Sequence, residues 1–270
     1  MTRESYIAYG NAGSNEAVRL KLQHAIFGPN TELHLRPYLK DNQVILVVGC
    51  GTGEELCFIA KTLNNTGKVI GVDISEAQLK EATNYIKASG MDNVQLINMD
   101  LFNTSELRTE FDLIVDRFVI GNLSNPVQAI EVLVKNLKPG GVLYSEEPII
   151  DKLCCIPESE SFNIYTQLFH KFAQKTGLNY NIGKDLKSLF TNAGLSNIKA
   201  EFSQVIMNDA KHKKIIQLSL DACSFAYLEH GFMTKDEIDT LSLKISQEVI
   251  NNEACRVYQV GVCHASGVLP

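Results

Sequence analysis

The chain has 270 residues, 45% of them hydrophobic, enough to fill a sizeable core in one large domain or in a domain with an insertion. Its formal net charge of −6, its pI near 5.6 and the lack of a long Lys/Arg run argue against a nucleic-acid partner. No apolar run approaches the length of a bilayer span, and MTRESYIAYG lacks a basic stretch followed by an apolar one, so no membrane role and a cytoplasmic location are expected. The seven cysteines (Cys50, Cys57, Cys154, Cys155, Cys223, Cys255 and Cys263) include no CxxC pair. They read as reduced core residues without a metal, and the adjacent Cys154 and Cys155 are the one place where redox chemistry is a second reading.

Residues 1–42 show a broken helical periodicity, starting near Ser14 or Asn15 with Glu16 in the first turn, and predict one or two helices covering a sheet. Tyr6, Tyr9, Arg19, Gln23 and His24 are the polar or aromatic members able to reach a pocket. The segment VILVVGCGTG at Val44–Gly53 then reads as a strand buried on both faces, a glycine turn and a helix start. Glycine suits such a turn because it tolerates positive φ and lets a ligand approach the backbone. A dinucleotide fingerprint would need a further glycine where Glu54 stands, and a carboxylate in the first helical turn repels a diphosphate. The turn is therefore better matched to a nucleoside without phosphate.

Glu54–Leu63 predicts a helix, and Lys68–Asp73 a second buried strand ending in an acid about 20 residues beyond the turn, where a carboxylate can accept from both hydroxyls of a ribose. Ser75 with Gln78 forms a capping-box candidate for the helix Glu76–Ser89, which frees Asp73 for a ligand. Val94–Met99 predicts a third strand closed by Asp100. That carboxylate can accept from an exocyclic amine while the Leu101 N–H faces a ring nitrogen and Phe102 packs on the ring; the competing reading of Asp100 is a helix cap. Phe111–Asp116 is a fourth strand, Val127–Leu137 a helix opened by Pro126, Lys138-Pro139-Gly140-Gly141 a sharp turn, and Val142–Tyr144 the start of a fifth strand.

Five βα units in a row imply a doubly wound parallel sheet, with Gly49–Gly53, Asp73, Asp100, Asp116 and Glu146 along the edge where such folds bind ligands. Beyond Pro148 the pattern predicts helices at Ser159–Thr176, Lys184–Ala193, Asp209–Glu229 and Thr234–Asn251, and strands at Ile198–Met207 and Ala254–His264. The long helical stretch between the last two strands is more than a connection requires. It reads as a cover over the substrate side of the pocket, or as a surface packed on the sheet or on a second subunit, so a homodimer is left open.

The order VILVVGCGTG, VIGVDIS, INMD, FDLIVDRFVIGNLSNP and LKPGGVLYSEEP resembles the class I, seven-stranded S-adenosylmethionine-dependent methyltransferases, and among them small-molecule enzymes of the UbiE-like or methyltransferase-domain type. The resemblance is strong over residues 40–150. It implies an α/β, doubly wound, mostly parallel seven-stranded Rossmann-like sheet with an N-terminal helical cap (1–42), a cofactor-binding core (43–150) and a C-terminal part of the same domain (151–270) carrying a helical insertion before the last strand. It implies S-adenosyl-L-methionine as cofactor and a small molecule as methyl acceptor. Residue by residue, it places Gly49, Cys50, Gly51 and Gly53 against the methionine and ribose portion, Asp73 with Ile74 at the ribose, Asp100 and Leu101 at adenine, and Asp116 and Arg117 beside the sulfonium. Tyr6, Tyr9 and Gln23 become pocket residues of the N-terminal cap.

Glu146, Glu147, Tyr144 and the helical His170 or His230 are the candidates for a base or an orienting group. The family usually carries an acid two residues before the first glycine, where this chain has Val47; either Glu54 or Asp116 substitutes for it, or cofactor affinity is reduced. The rival classes are a catalytically degenerate binding protein and an NAD-dependent oxidoreductase.

Overall fold

A computed structural model describes residues 14–270. Helix α1 (Ser14–Leu35) precedes a sheet whose strands are β1 (Val44–Val48), β2 (Lys68–Asp73), β3 (Val94–Asn98), β4 (Phe111–Arg117), β5 (Leu137–Pro148), β6 (Leu153–Ile156), β7 (Ser196–Met207) and β8 (Arg256–Val268). Between them lie α2 (Glu54–Thr62), α3 (Glu76–Ala88), α4 (Pro126–Lys135), α5 (Glu160–Thr176), α6 (Leu186–Asn192), α7 (Ala210–Glu229) and α8 (Lys235–Ile245). The five strands β3-β2-β1-β4-β5 run parallel, and β8 joins antiparallel to β5. The sheet is thus α/β and mostly parallel, but it has eight strands where seven are expected.

The extra strand is β6, four residues pairing with Arg256–Gln259 of β8 on the edge whose remainder, Val262–Val268, pairs with β5. The segment LCCI is too short for alternation to mark it as a strand. β7 takes the opposite edge of β8. Another departure concerns Lys138-Pro139-Gly140-Gly141: Gly140 N–H donates to Leu269 O at 2.8 Å and Leu269 N–H to Gly141 O at 2.9 Å, so the glycines continue β5 into the sheet.

The parallel strands are apolar without interruption because both their faces are covered. On β1, Leu46 and Val48 join the cluster containing Ile130 and Leu133 of α4, whereas Ile45 and Val47 join the cluster containing Leu56 and Ile59 of α2, Ala82 of α3 and Leu35 of α1. A third cluster lies over the far end of the sheet. It gathers Tyr165, Phe169 and Phe172 of α5, Ile216 and Tyr227 of α7, Ile238 and Leu241 of α8, and Val257 of β8. Burial of each such side chain contributes roughly 1.5–3 kcal/mol, so this helical layer is a core in its own right.

One cation lies inside that layer. Lys213 of α7 is 1% exposed, and its Nζ donates to the carbonyls of Asn252 at 2.8 Å and Cys255 at 3.1 Å, closing the connection into β8. Lys213→Met would leave two buried carbonyls unpaired. Urea denaturation is expected to show a loss of about 2–4 kcal/mol for this variant.

Candidate functional site

At the carboxyl ends of β1, β2 and β3 the chain turns around a cavity of about 260 Å³, close to the lower end of ligand-site volumes. The glycine turn forms one wall. Gly51 has φ +52° and a Cβ there would meet only Leu20 Cδ1, at 3.6 Å, so its backbone faces open space. Gly49, at φ +61°, is required for another reason: a Cβ would come within 2.5 Å of Val119 Cγ2, so the loop after β4 leans directly on this residue.

Asp73 braces that turn from the neighbouring strand. Its Oδ2 accepts from Gly51 N–H and its Oδ1 from Ser75 N–H, each at 2.9 Å, while Ser75 Oγ caps α3 by accepting from Gln78 N–H. Burial raises the Asp73 carboxyl above its ordinary range, against the lowering effect of these N–H groups. Asp73, Ile74, Asp100 and Leu101 all line the cavity. Asp100 also serves its own turn, since its Oδ1 accepts from Phe102 N–H at 3.0 Å. Phe102 itself packs into the cluster beneath the sheet edge and does not line the cavity.

The opposite wall comes from α1, which contributes Glu16, Arg19, Leu20, Gln23 and Phe27. Glu16 and Arg19 make a two-bond fork, with Nε to Oε2 at 2.8 Å and Nη2 to Oε1 at 2.7 Å. Arg117 closes the polar end. Its guanidinium reaches Glu55 at 3.5 Å, Thr31 Oγ1 at 3.2 Å and His24 Nδ1 at 3.2 Å. Desolvation and the neighbouring Arg117 lower the His24 pKa to about 4, so the ring is neutral and can accept from the guanidinium.

The other end of the cavity has a different chemistry. Ile150, Leu153, Tyr165, Phe169, Tyr180, Met207, Ile215 and Ile216 line it, with Ser219 and Gln259 as polar members and no charged side chain among them. Tyr165, Phe169 and Tyr180 are edge-packed in series, with centroids 5.0 and 5.7 Å apart.

Of the expected site residues, Gly49, Gly51, Asp73, Ile74, Asp100, Leu101, Arg117 and Gln23 therefore converge on one cavity, and Arg19 joins them. Tyr6 and Tyr9 lie outside the described residues. The others are placed elsewhere. Cys50 is buried under the turn against Gly71, and Gly53 lies against Ala82, where a Cβ would come within 3.1 Å; it lets α2 pack on α3.

The fourth- and fifth-strand acids are buried and do not line the cavity: Asp116 points to the face opposite Arg117, whereas Glu146 shares Arg117's face. Asp116 is fully buried and accepts from Ser145 Oγ, and its pKa is pushed up to about 7, chiefly by desolvation. Tyr144 is 1% exposed and its hydroxyl meets His264 Nδ1 at 2.9 Å. Glu146 lies behind Arg117, 3.5 Å from the same His264 nitrogen, and burial raises its pKa to about 8. Among the described residues none of these three lines the cavity. His170 is half-exposed on α5, its Nε2 3.7 Å from Asp151 Oδ1 at the surface; His230 is exposed at the end of α7.

Val47 is 2% exposed within the cluster holding Leu35, Val115 and Tyr144. The substitutes expected for an acid there do not reach the cavity, since Asp116 is turned inward and Glu54 accepts from Thr52 Oγ1 at 2.6 Å. A buried carboxyl on the cavity wall comes instead from Glu16, read in the sequence only as a helix-start residue, and a second, Glu55, stands behind Arg117 and was not singled out. Glu55 had a legible signal: it stands four residues before Ile59, on the apolar face of α2.

The sequence of residues 39–194 matches the family described as methyltransferase domain. A demethylmenaquinone methyltransferase from Staphylococcus saprophyticus is 30% identical over 173 residues, 60% of this chain and 73% of the relative. Among solved structures, Haemonchus contortus phosphoethanolamine N-methyltransferase 2, in complex with phosphomonomethylethanolamine and S-adenosylhomocysteine, is 18% identical with a TM-score of 0.54 over 89% of this chain and 52% of that one. YcgJ from Bacillus subtilis is 12% identical with a TM-score of 0.57 over 89% of this chain and 98% of that one. At these identities the structural likeness shows the fold alone.

The buried Glu146 gives the site a pH signature. Its carboxyl stays protonated in the fold up to about pH 8 but ionises in the unfolded chain near its ordinary value of 4.5, so the folded state binds the extra proton between these limits. Stability falls as pH rises through that window. Glu146→Gln removes the penalty, and the variant is expected to gain on the wild type by on the order of 3 kcal/mol between pH 5 and pH 8.5 in paired urea titrations.

Proposed function

We propose that this chain, which belongs to the methyltransferase-domain family and is an S-adenosylmethionine-dependent methyltransferase, transfers its methyl group to a small, uncharged and largely apolar acceptor. The observation that carries the reading is the division of one cavity into a carboxylate-edged polar end and an aromatic end with no charged side chain.

The polar end fits the cofactor on its own terms. Gly51 presents backbone that a Cβ would cover, and two carboxylates, Asp73 and Asp100, supply acceptors for hydroxyl and amine donors. The two arginines of the wall are each paired with a buried glutamate, Arg19 with Glu16 and Arg117 with Glu55, so they offer little uncompensated charge to a phosphate. In this reading Asp73 takes the ribose hydroxyls and Asp100 with Leu101 the base. Gln23 and the two Arg–Glu pairs face the amino-acid portion.

When bound, S-adenosylmethionine supplies a methyl group on a positively charged sulfur, already activated for displacement. The chain's own contribution is then alignment and the exclusion of water. Holding donor and acceptor in one geometry removes much of the entropic barrier. The aromatic and aliphatic wall from α5, α7 and β7 keeps water from the acceptor, while Tyr165, Tyr180, Ser219 and Gln259 are the groups able to orient its polar atoms. Tyr144, Glu146 and His170 are not assigned a direct part, because none of them lines the cavity. The relative named as a demethylmenaquinone methyltransferase supports an acceptor of apolar character.

Calorimetry with S-adenosylhomocysteine is expected to show saturable binding to the wild type, and Asp73→Ala to weaken it by about 1.5–3 kcal/mol, the range for charge-assisted hydrogen bonds. An unchanged affinity would make Asp73 a brace for the turn and nothing more. Transfer of label from methyl-labelled S-adenosylmethionine is expected with neutral hydroxylated aromatic acceptors and not with ammonium or phosphate-bearing ones; the reverse preference would overturn the assignment of the apolar end.

A further inference from the structure

Phe118 lines the cavity and directly follows Arg117 in the chain. It has φ +57°, a left-handed backbone that a bulky side chain rarely adopts. Such a conformation persists only where surrounding contacts impose it, and it clusters where a side chain must be aimed.

Here the contacts are visible. Phe118 N–H donates to Glu146 O at 2.8 Å, and Asn122 Nδ2 donates back to Phe118 O at 2.8 Å. The turn that follows closes around a buried carboxyl: Ile120 N–H donates to Glu147 Oε1 at 2.6 Å, and Gly121 is so close that a Cβ would lie 3.1 Å from Glu147 Oε2. Gly121 O in turn accepts from Asn179 N–H at 3.2 Å, which ties the turn to the residue before Tyr180.

The ring held in this way lines the cavity and meets Phe27 edge-on, with centroids 5.1 Å apart and planes at 87°. Phe27 packs against the cluster that contains Tyr165, Phe169 and Tyr180. Phe118 thus sets an aromatic ring on the cavity wall immediately after Arg117 in the chain, packed edge-on against Phe27.

We infer that Phe118 is an acceptor-positioning residue: its ring is the platform on which a flat, uncharged aromatic acceptor lies beside the transferable methyl group, and Glu147 fixes that platform through the turn it clamps. The inference rests on the assignment of the apolar end to the acceptor and adds the chemical class of that acceptor, a planar ring.

The chain contains no tryptophan, so Phe118→Trp introduces a single indole on the cavity wall. With S-adenosylhomocysteine saturating, titration of this variant with 1-naphthol is expected to change the indole emission saturably. By calorimetry Phe118→Ala is expected to bind 1-naphthol about tenfold more weakly than the wild type, while its affinity for S-adenosylhomocysteine stays within about twofold. Phe118→Leu keeps apolar bulk without a ring and is expected to show the same split, so it decides the matter should the alanine variant not fold.

Equal naphthol affinity in the variants overturns the inference. So does a parallel loss of both ligands, which would make Phe118 a wall of the cofactor end. A wild type that binds no S-adenosylhomocysteine would instead sink the reading on which the inference rests.

Discussion

The edge of the sheet depends on one carboxylate. Asp73 accepts backbone N–H groups from two different turns, Gly51 after β1 and Ser75 after β2, and so fixes both loops with a single side chain. Cys50 N–H adds a bond to Val72 O at 3.1 Å, which extends the pairing of β1 and β2 past their register Val48↔Val72. An unsatisfied N–H in this half-closed place would be costly, and a side chain that met it less directly would let the turn relax over the cavity. Because the turn is held from behind, Gly51 can remain open in front.

Around that brace the chain places an unusual amount of buried charge. Arg117 is enclosed by Glu55 and Glu146, both raised above their ordinary range by desolvation while the guanidinium pulls them back down. His264 is held neutral, with its pKa lowered to about 3, by burial and by the stacked ring of His34 at 4.0 Å. One cation thus shares two carboxyls, and the second can stay protonated. Val47 lies apart from this charge in an apolar cluster with Leu35, Val115 and Tyr144.

What could be read from the sequence follows from how local each signal is. The glycine turn, Asp73, Asp100 and Leu101 sit within a few residues of a strand end, and strand ends of a parallel sheet share one edge, so spacing alone brings them together. Tyr144 and Glu146 fail for a reason that spacing does not carry: both share the face of Arg117, but each is buried in the packing around it, and only Arg117 reaches the cavity. His170 lies on the exposed side of an amphipathic helix whose buried side, Tyr165 and Phe169, makes the wall. The acceptor end collects Tyr165, Tyr180, Met207, Ile216 and Gln259 from separate elements, and in sequence each is one more apolar or neutral residue in a periodic run. Phe118 gives no sign at all until its backbone angle is seen.

Strand β8 is bonded on one edge to β5 and β6 and on the other to β7. A polypeptide ending near residue 150 would retain the brace and the glycine turn, yet β5 would present seven successive residues, Val142–Pro148, with a strand on the β4 side only. A bare border of that kind is a template for pairing with another molecule. The C-terminal strand therefore guards the nucleoside-side half against self-association as well as walling its neighbour, which ties the solubility of the one to the presence of the other.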